Sequence, residues 1–532
     1  MITTRRLTTT AALAAGLCIA AAPPASAGMA LAGSAPLMIT TGAGDGTFAA
    51  GATDRRSGPT AAWHTCSLGP EDEEGQALDA AGVECGDVTV PVDYAKPRGR
   101  TMTVAIARSR ATDPANRIGS MIINLGGPAS PVIGVVPLAR EAMGDAGARF
   151  DLIGMDPRFA GRSTPVDCGW QENWLPRSSG ADRESFTRMV KLAKDLAKRC
   201  GRSHGADIEY ASTANSARDM DMIRAALGET KLSYLGYSQG TFLGAVYTQL
   251  FPQRADRIVL DSAVDPTRPG TSLLRNAAPR REAALAEWAR WAAARDGEYG
   301  LGATAEEVLA TVNHVYTASA RQPLRIGGHA IDDTIVPAAI TRSLSDDATN
   351  GELAETVSIL ATAARGGAAE LNEALTDLLS SLLTGDESAL HSAQTAIMCG
   401  DAAVPRDPEW YWHDIQAHRA ESPLFSPMSR TITPCAFWPA TPLERPVSIG
   451  NRVPALIVQA EKDIDAQLPG AQALHKALAG SRMVTLEGAR THGVYLFRGA
   501  GCVDETVNAY LTSGRLPTAD LRCAEGPTER MR

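Results

Sequence analysis

Short apolar runs and amphipathic helical segments alternate in two separate parts of the chain. Residues 101–107 alternate in polarity as a half-buried strand does. Apolar runs typical of buried strands occur at residues 120–125, 150–156, 257–261, 453–459 and 483–486. Helical periodicity separates these runs, as at residues 216–227. The alternation predicts a mostly parallel central sheet with helices on both faces, an α/β fold.

The segment between the two parts has a different pattern. Its apolar positions follow a helical period in Ala- and Leu-rich stretches at residues 277–295, 305–319 and 368–383. We therefore predict a helical cap inserted into the sheet domain. The predicted division is a first core part at residues 61–269, the cap at residues 270–400 and a C-terminal core part at residues 401–532.

The N-terminal segment reads as a targeting sequence. Two arginines precede a short apolar stretch, and Ala-Ser-Ala at residues 25–27 has the small-x-small form of a signal peptidase site. The apolar stretch is too short for a transmembrane anchor. We predict a signal peptide at residues 1–27, cleaved near Ala27, and secretion of the mature protein. Residues 28–60, rich in Gly, Ala, Ser and Thr, are predicted to be a flexible leader or propeptide.

Composition narrows the class of protein. The chain has 532 residues, of which 44% are hydrophobic and 21% charged, as in soluble globular proteins. Its formal net charge of −9 argues against nucleic acid or an anionic membrane as the main partner. We expect no stable membrane insertion and, without coiled-coil repeats, a monomer.

Eight cysteines follow the predicted signal peptide. An even number in an exported chain favours disulfides, and no Cys-x-x-Cys or clustered His/Cys spacing supports the alternative of a zinc site. Proximity along the chain suggests the pairs Cys66–Cys85, Cys168–Cys200, Cys399–Cys435 and Cys502–Cys523.

The strongest chemical signal is Gly-Tyr-Ser-Gln-Gly at residues 236–240. Residues 231–235 before it are β-prone, and residues 241–247 after it resemble the start of a buried helix. A strand, a Gly-x-Ser-x-Gly turn and a helix form the nucleophile elbow of α/β-hydrolases, in which a strained turn exposes the serine oxygen. This context predicts the α/β-hydrolase fold and Ser238 as the nucleophile.

A serine nucleophile needs a histidine base and an acid that orients the histidine. In α/β-hydrolases the acid follows a late strand and the histidine follows the last one. His492 lies in a Gly-flanked loop after the final predicted strand, whereas His475 resembles an exposed helix residue. Asp463, after the preceding strand, is the favoured acid; Asp465 and Asp261 are the alternatives.

The oxyanion that forms during acyl transfer needs two N–H donors. One should be the amide of Gln239, directly after the nucleophile. The second should come from the Gly-Gly-Pro segment that follows the strand at residues 120–125. Pro128 has no N–H to donate, so Gly127 is favoured, with Gly126 next.

Several separated motifs resemble, in order, those of the secreted tripeptidyl aminopeptidases, relatives of prolyl aminopeptidase within the α/β-hydrolases. They occupy residues 84–94, 124–128, 150–158, 161–163, 236–240, 492–495 and 502–517. The resemblance implies a helical cap, no cofactor and no metal, secretion, and release of di- or tripeptides from free peptide N-termini. It also places Ser238, Asp463 and His492 on the family's triad.

Two loops depart from the family pattern. Leu125 replaces the first proline of the family's Asn-Pro-Gly-Gly-Pro-Gly loop, and Ala-Ser-Pro at residues 129–131 replaces its Gly-rich tail. The acid segment at residues 463–469 is longer than the usual Asp-Pro-x-Thr-Pro and lacks the threonine. These changes bear on substrate entry and on the assignment of the acid.

An exopeptidase must bind the free ammonium of its substrate, and a carboxylate on the cap or rim is the natural partner. Asp401 and Asp407 lie where the chain returns from the predicted cap, and each also fits an ordinary solvated acid.

The sequence thus predicts a secreted serine exopeptidase that acts on peptides with free N-termini through an acyl-enzyme. An esterase or amidase is the alternative among enzymes, because the triad chemistry is shared and the fold does not determine the substrate. A secreted binding protein with weak turnover is the alternative of another class, and the altered acid segment is the feature that favours it.

Overall fold

The structure is a computed structural model that describes residues 59–524. The predicted signal peptide and almost all of the predicted leader lie outside the described residues. Among the described residues, no helix is both long and apolar enough to cross a lipid bilayer.

A ten-stranded sheet organises the described part of the chain, with the order β1-β2-β3-β5-β4-β6-β7-β10-β11-β12. The strands of the described residues are β1 Ala61–His64, β2 Glu84–Pro91, β3 Thr101–Ser109, β4 Gly119–Asn124, β5 Phe150–Met155, β6 Leu232–Tyr237, β7 Ala255–Asp261, β8 Leu324–Ile326, β9 His329–Ile331, β10 Leu456–Ala460, β11 Arg482–Glu487 and β12 Leu521–Ala524. Strands β8 and β9 form a separate hairpin outside this sheet. The pairs from β1 to β5 are antiparallel. All pairs from β5 to β12 across the sheet are parallel, which confirms the predicted mostly parallel sheet.

Helices cover both faces of the parallel strands. The α-helices are α1 Glu73–Ala80, α2 Val136–Ala148, α3 Arg183–His204, α4 Thr213–Ala226, α5 Gln239–Leu250, α6 Ala278–Ala293, α7 Asp296–Tyr299, α8 Ala305–Arg321, α9 Val336–Leu344, α10 Asn350–Ala364, α11 Glu373–Leu383, α12 Ser388–Asp401, α13 Pro408–Arg419, α14 Ser426–Ser429, α15 Leu468–Ala477 and α16 Gly501–Ser513. Side chains on a strand alternate between faces. Accordingly, Met121 and Ile123 of β4 enter one apolar cluster and Ile122 enters another. Both faces are buried, so the parallel strands read as continuous apolar runs.

Helices α6 to α11 and the β8–β9 hairpin lie between β7 and β10 in the sequence, where the pattern predicts a cap. Trp288, Val312, Ile340 and Leu378 are among the apolar residues of a cluster that these helices share. The change from the apolar cluster of the cap to that of the sheet domain does not occur at residue 400. Ala396 in α12 already packs with the sheet domain, whereas Phe425, after α13, packs with the cap helices.

Four disulfides tie these elements together, and they are the four pairs suggested by proximity in the sequence. Cys399–Cys435 joins α12 to the segment after α14. Cys502–Cys523 joins α16 to the edge strand β12. Each cross-link restricts the unfolded chain over a separation of 19 to 36 residues.

A fully buried ion pair lies beneath the antiparallel edge of the sheet. Arg158, after β5, donates two hydrogen bonds of 2.7 Å to the carboxylate of Asp219 in α4. The same guanidinium donates to the carbonyl oxygens of Val92 and Tyr210, and the Tyr94 hydroxyl donates to Asp219. Every charge is therefore paired and hydrogen-bonded, which burial requires.

We predict that Arg158→Met lowers the free energy of unfolding by about 3–5 kcal/mol, because it leaves the Asp219 charge buried without its partner. The measurement is the midpoint and slope of urea unfolding. Arg199→Met is the matched control, because Arg199 pairs with Asp195 on the exposed surface of α3, where such pairs contribute little. Equal midpoints for the two variants would contradict the prediction.

Candidate active site

Ser238 occupies the tight turn between β6 and α5. Its backbone angles are φ 53° and ψ −126°, in a region that residues other than glycine rarely adopt. Gly236 and Gly240 lie two residues before and after Ser238, where neighbouring atoms leave no room for a side chain. A Cβ on Gly236 would lie 2.4 Å from the Tyr234 ring, and one on Gly240 would lie 2.5 Å from Asn124 Oδ1. The two glycines therefore permit the turn that holds the serine, which is partly exposed between buried neighbours.

His492 and Asp463 form a buried pair after the neighbouring strands β11 and β10. His492 Nδ1 lies 2.9 Å from Asp463 Oδ2, and both side chains are almost fully buried. The other oxygen of Asp463 accepts hydrogen bonds from the amides of Asp465 and Ala466, which fixes the carboxylate. Nε2 of His492 has no hydrogen-bond partner among the described residues. The arrangement leaves that nitrogen to accept a proton from another group.

The charges around His492 favour its protonated form. Burial is the largest single influence and would lower the pKa of the imidazolium. The charge and hydrogen bond of Asp463, together with the smaller effects of Asp465 and Asp261, outweigh burial and raise the pKa to about 9.

Asp261 at the end of β7, one of the alternative acids, bonds to the histidine loop through the main chain. Its carboxylate accepts from the amides of Val494 and Tyr495, the latter at 2.7 Å. The adjacent Ser262 hydroxyl accepts from the amide of Gly493 at 2.8 Å. Burial raises the pKa of Asp261 to about 7, against the effect of the amides that it accepts. Of the three acids considered, Asp463 alone hydrogen-bonds the imidazole within the described part of the chain.

Asp465, the other alternative, faces the cap. Its two oxygens accept from Arg281 in α6 at 2.8 Å and from the Ser345 hydroxyl after α9 at 3.0 Å. Burial would raise the pKa of Asp465, but the charges of Arg281 and His492 hold it below its usual value.

Asp463, Asp465 and His492 are also the one group of potential metal ligands found among residues 59–524. Each of the four carboxylate oxygens already accepts a hydrogen bond, and the Arg281 guanidinium lies against Asp465. The donor set does not fit a cation, and we assign no metal to it.

The Gly-Gly-Pro loop after β4 packs against the serine turn. A Cβ on Gly126 would lie 3.0 Å from Ser238 Cβ and 3.1 Å from the Gln239 nitrogen. The Gly126 amide already donates to Asn124 Oδ1 at 2.9 Å. Gln239 is the first residue of α5, where a backbone N–H has no acceptor within the helix. The structure thus brings the loop of Gly127 and the Gln239 amide to one side of the serine.

The two acids considered for the substrate ammonium are engaged elsewhere. Asp401 accepts from the amide and hydroxyl of Thr213 at 2.6 and 2.7 Å, at the start of α4, and burial raises its pKa to about 7. Asp407 is exposed and accepts from the amide of Glu409 at the start of α13. Both act as helix N-terminal acceptors, and both oxygens of Asp401 are occupied in this way.

The cap supplies residues around the histidine that the sequence analysis did not single out. The Thr491 hydroxyl donates to Asp346 at 2.7 Å, and the Asp347 amide donates to the Arg490 carbonyl at 2.8 Å. Arg498 also bonds to Asp346, at 2.8 Å. No local signal marks Asp346 as part of this region, because its partners in the histidine loop are more than one hundred residues away in the sequence.

Comparison with known proteins identifies the fold and the family of the chain. The family model described as alpha/beta hydrolase fold matches residues 120–464, and the model described as TAP-like protein matches residues 422–523. The tripeptidyl aminopeptidase of Streptomyces lividans is 34% identical over 84% of this chain and 85% of its own length.

Two further relatives are named for different activities. The serine protease Hip1 of Mycobacterium tuberculosis is 30% identical over 83% of this chain and 87% of its own. Carboxylesterase B of the same organism is 29% identical over 88% of this chain and 90% of its own. The chain is a serine hydrolase of the α/β-hydrolase fold and belongs to the tripeptidyl aminopeptidase family.

Proposed function

We propose that this protein is an exported serine exopeptidase that removes short peptides, of two or three residues, from free N-termini. The observation that carries the proposal is the buried Asp463–His492 pair with an unpartnered Nε2, located at the same edge of the sheet as the strained Ser238. These residues follow β10, β11 and β6, whose carboxyl ends share that edge.

The proposed reaction is acyl transfer through the serine. His492 Nε2 takes the proton of Ser238 as its oxygen attacks the scissile carbonyl, and Asp463 keeps the imidazole oriented and stabilises the imidazolium. The amides of Gln239 and Gly127 donate to the oxyanion. The imidazolium then protonates the leaving amine, and water, activated by His492, releases the peptide from the acyl-enzyme.

Peptides as substrates are supported by the names of two relatives, a tripeptidyl aminopeptidase and a serine protease. Export is supported by the four disulfides, since such bonds persist in oxidising compartments. The signal peptide and its cleavage near Ala27 remain predictions that lie outside the described residues. We keep the monomeric state and the absence of a nucleic acid partner as expectations.

An esterase is the second candidate, favoured by the carboxylesterase relative. The same nucleophile, base and oxyanion donors would act on an ester, whose leaving group needs less protonation than an amine.

We predict that the protein cleaves a tripeptidyl-nitroanilide with a free N-terminus and leaves its N-acetylated form intact. Ser238→Ala should lower kcat by about 10⁴- to 10⁶-fold, because it removes the attacking oxygen. The control is Ser203→Ala, an exposed serine in α3, which should keep full activity. Release of nitroaniline, followed by absorbance, is the measurement.

The outcomes separate the candidates. Equal cleavage of the acetylated peptide would contradict exopeptidase specificity. Turnover of acyl nitrophenyl esters alone would favour the esterase. A serine that is not labelled by a fluorophosphonate probe would favour a binding protein without turnover.

The raised pKa of His492 predicts the pH dependence. The imidazole must be neutral to accept the serine proton, so kcat/KM should rise with pH as His492 loses its proton. The midpoint of this acid limb of the pH profile should lie above the ordinary histidine pKa of about 6.5. Asp465→Asn removes one of the anions that stabilise the imidazolium, so this limb should move to lower pH. Asp407→Asn, which removes an exposed carboxylate just before α13, should leave the limb in place. A limb unchanged by Asp465→Asn would contradict the assignment of His492 as the base.

A further inference from the structure

Gln394 in α12 is a buried polar side chain that takes no part in the acyl transfer proposed for Ser238 and His492. It is 1% exposed, and neither its Nε2 nor its Oε1 has a hydrogen-bond partner among the described residues. Leaving both atoms of a buried carboxamide unpaired is costly, since each forgoes its hydrogen bonds to water. A buried polar group in this state is expected where a ligand completes its bonding.

The position of Gln394 identifies which ligand atoms it can reach. A Cβ placed on Gly127 would lie 3.2 Å from Gln394 Nε2. The carboxamide therefore lies close to Gly127 in the proposed oxyanion loop, on the side where glycine has no side chain. The side-chain amide of Gln239 and Nδ2 of Asn124 are likewise buried without partners. Unpaired polar atoms thus surround the serine turn, as a site that binds a polar substrate requires.

The helix that carries Gln394 is held firmly in place. The hydroxyl of Thr395, next in the chain, accepts from the Trp174 indole at 2.9 Å, and that of Ser392 accepts from the Cys168 amide at 3.1 Å. Cys399 of the same helix forms a disulfide with Cys435. A donor on such a support is pre-organised and needs no rearrangement when charge develops in the substrate.

We propose that Gln394 is a third oxyanion donor, whose Nε2–H bonds the scissile carbonyl oxygen as it becomes negative, beside the amides of Gln239 and Gly127. This rests on the proposed function, because it takes Ser238 as the nucleophile. Gln394 thereby connects α12, which packs with the sheet domain, to the chemistry at the serine turn.

Gln394→Met is the decisive variant, because methionine has a similar shape and cannot donate. Loss of one oxyanion donor should lower kcat for the free tripeptidyl-nitroanilide by about 10²- to 10³-fold, with KM changed by less than about threefold. The rate of labelling by a fluorophosphonate probe, whose phosphoryl oxygen occupies the oxyanion site, should fall in parallel.

Thermal unfolding distinguishes a lost donor from a damaged fold. Since Gln394 has no partner to lose, Gln394→Met should leave the Tm unchanged or raise it. Gln459→Met is the matched control, because the buried Gln459 carboxamide makes three hydrogen bonds, to Ala263, Ala460 and Ala466. That variant should lower the Tm.

Three results would overturn the proposal: a raised KM with kcat intact, which means ground-state binding; unchanged kinetics; or a lowered Tm for Gln394→Met, which means that the carboxamide has a partner in the free protein. Failure of the proposed peptidase function is detected separately. It would appear as wild-type protein that does not cleave the nitroanilide, and the labelling rate would still test Gln394.

Discussion

The carboxyl end of β7 holds the three parts of the site together. The main-chain oxygen of Asp261 accepts from the Ser238 amide at 2.9 Å, which supports the strained turn. The carboxylate of Asp261 and the hydroxyl of Ser262 accept from three consecutive amides of the histidine loop. The Ser262 amide donates to Val458 in β10, the strand that leads to Asp463. Two adjacent residues thus connect the proposed nucleophile, base and acid, and the backbone bonds offset the cost of strain and burial.

The cap is bonded to the same loops and is not a separate lid resting on them. Ile464, next to the proposed acid, packs in the apolar cluster of the cap helices. On either side of it, Lys462 pairs with Glu287 and Asp465 pairs with Arg281, both partners on α6. The histidine loop makes equivalent bonds to residues 346–347. The positions of the proposed acid and base are therefore tied to the cap by packing, ion pairs and hydrogen bonds.

Burial has opposite consequences for the polar groups of this molecule. Arg158 and Asp219 are fully buried and hydrogen-bonded to each other, so they connect the segment after β5 to α4. His492 Nε2 and the Gln394 carboxamide are as deeply buried and remain unpaired. The first pattern satisfies the hydrogen bonds of the buried groups, whereas the second leaves bonding capacity unused at some cost in stability.

The fold and the most local parts of the site were determined by the sequence itself. Continuous apolar runs with helices between them specify a parallel sheet buried on both faces, and Gly-x-Ser-x-Gly between a strand and a helix specifies a turn that few other sequences allow. His492 and Asp463 could be selected because strand order alone brings the ends of neighbouring parallel strands together. Only the tertiary structure decided that Asp261 bonds the loop instead of the imidazole, that Asp401 serves a helix terminus, and that Gln394 lies beside Gly127. These contacts join residues well over one hundred positions apart, and no local pattern encodes them, because they depend on how distant segments pack around the sheet.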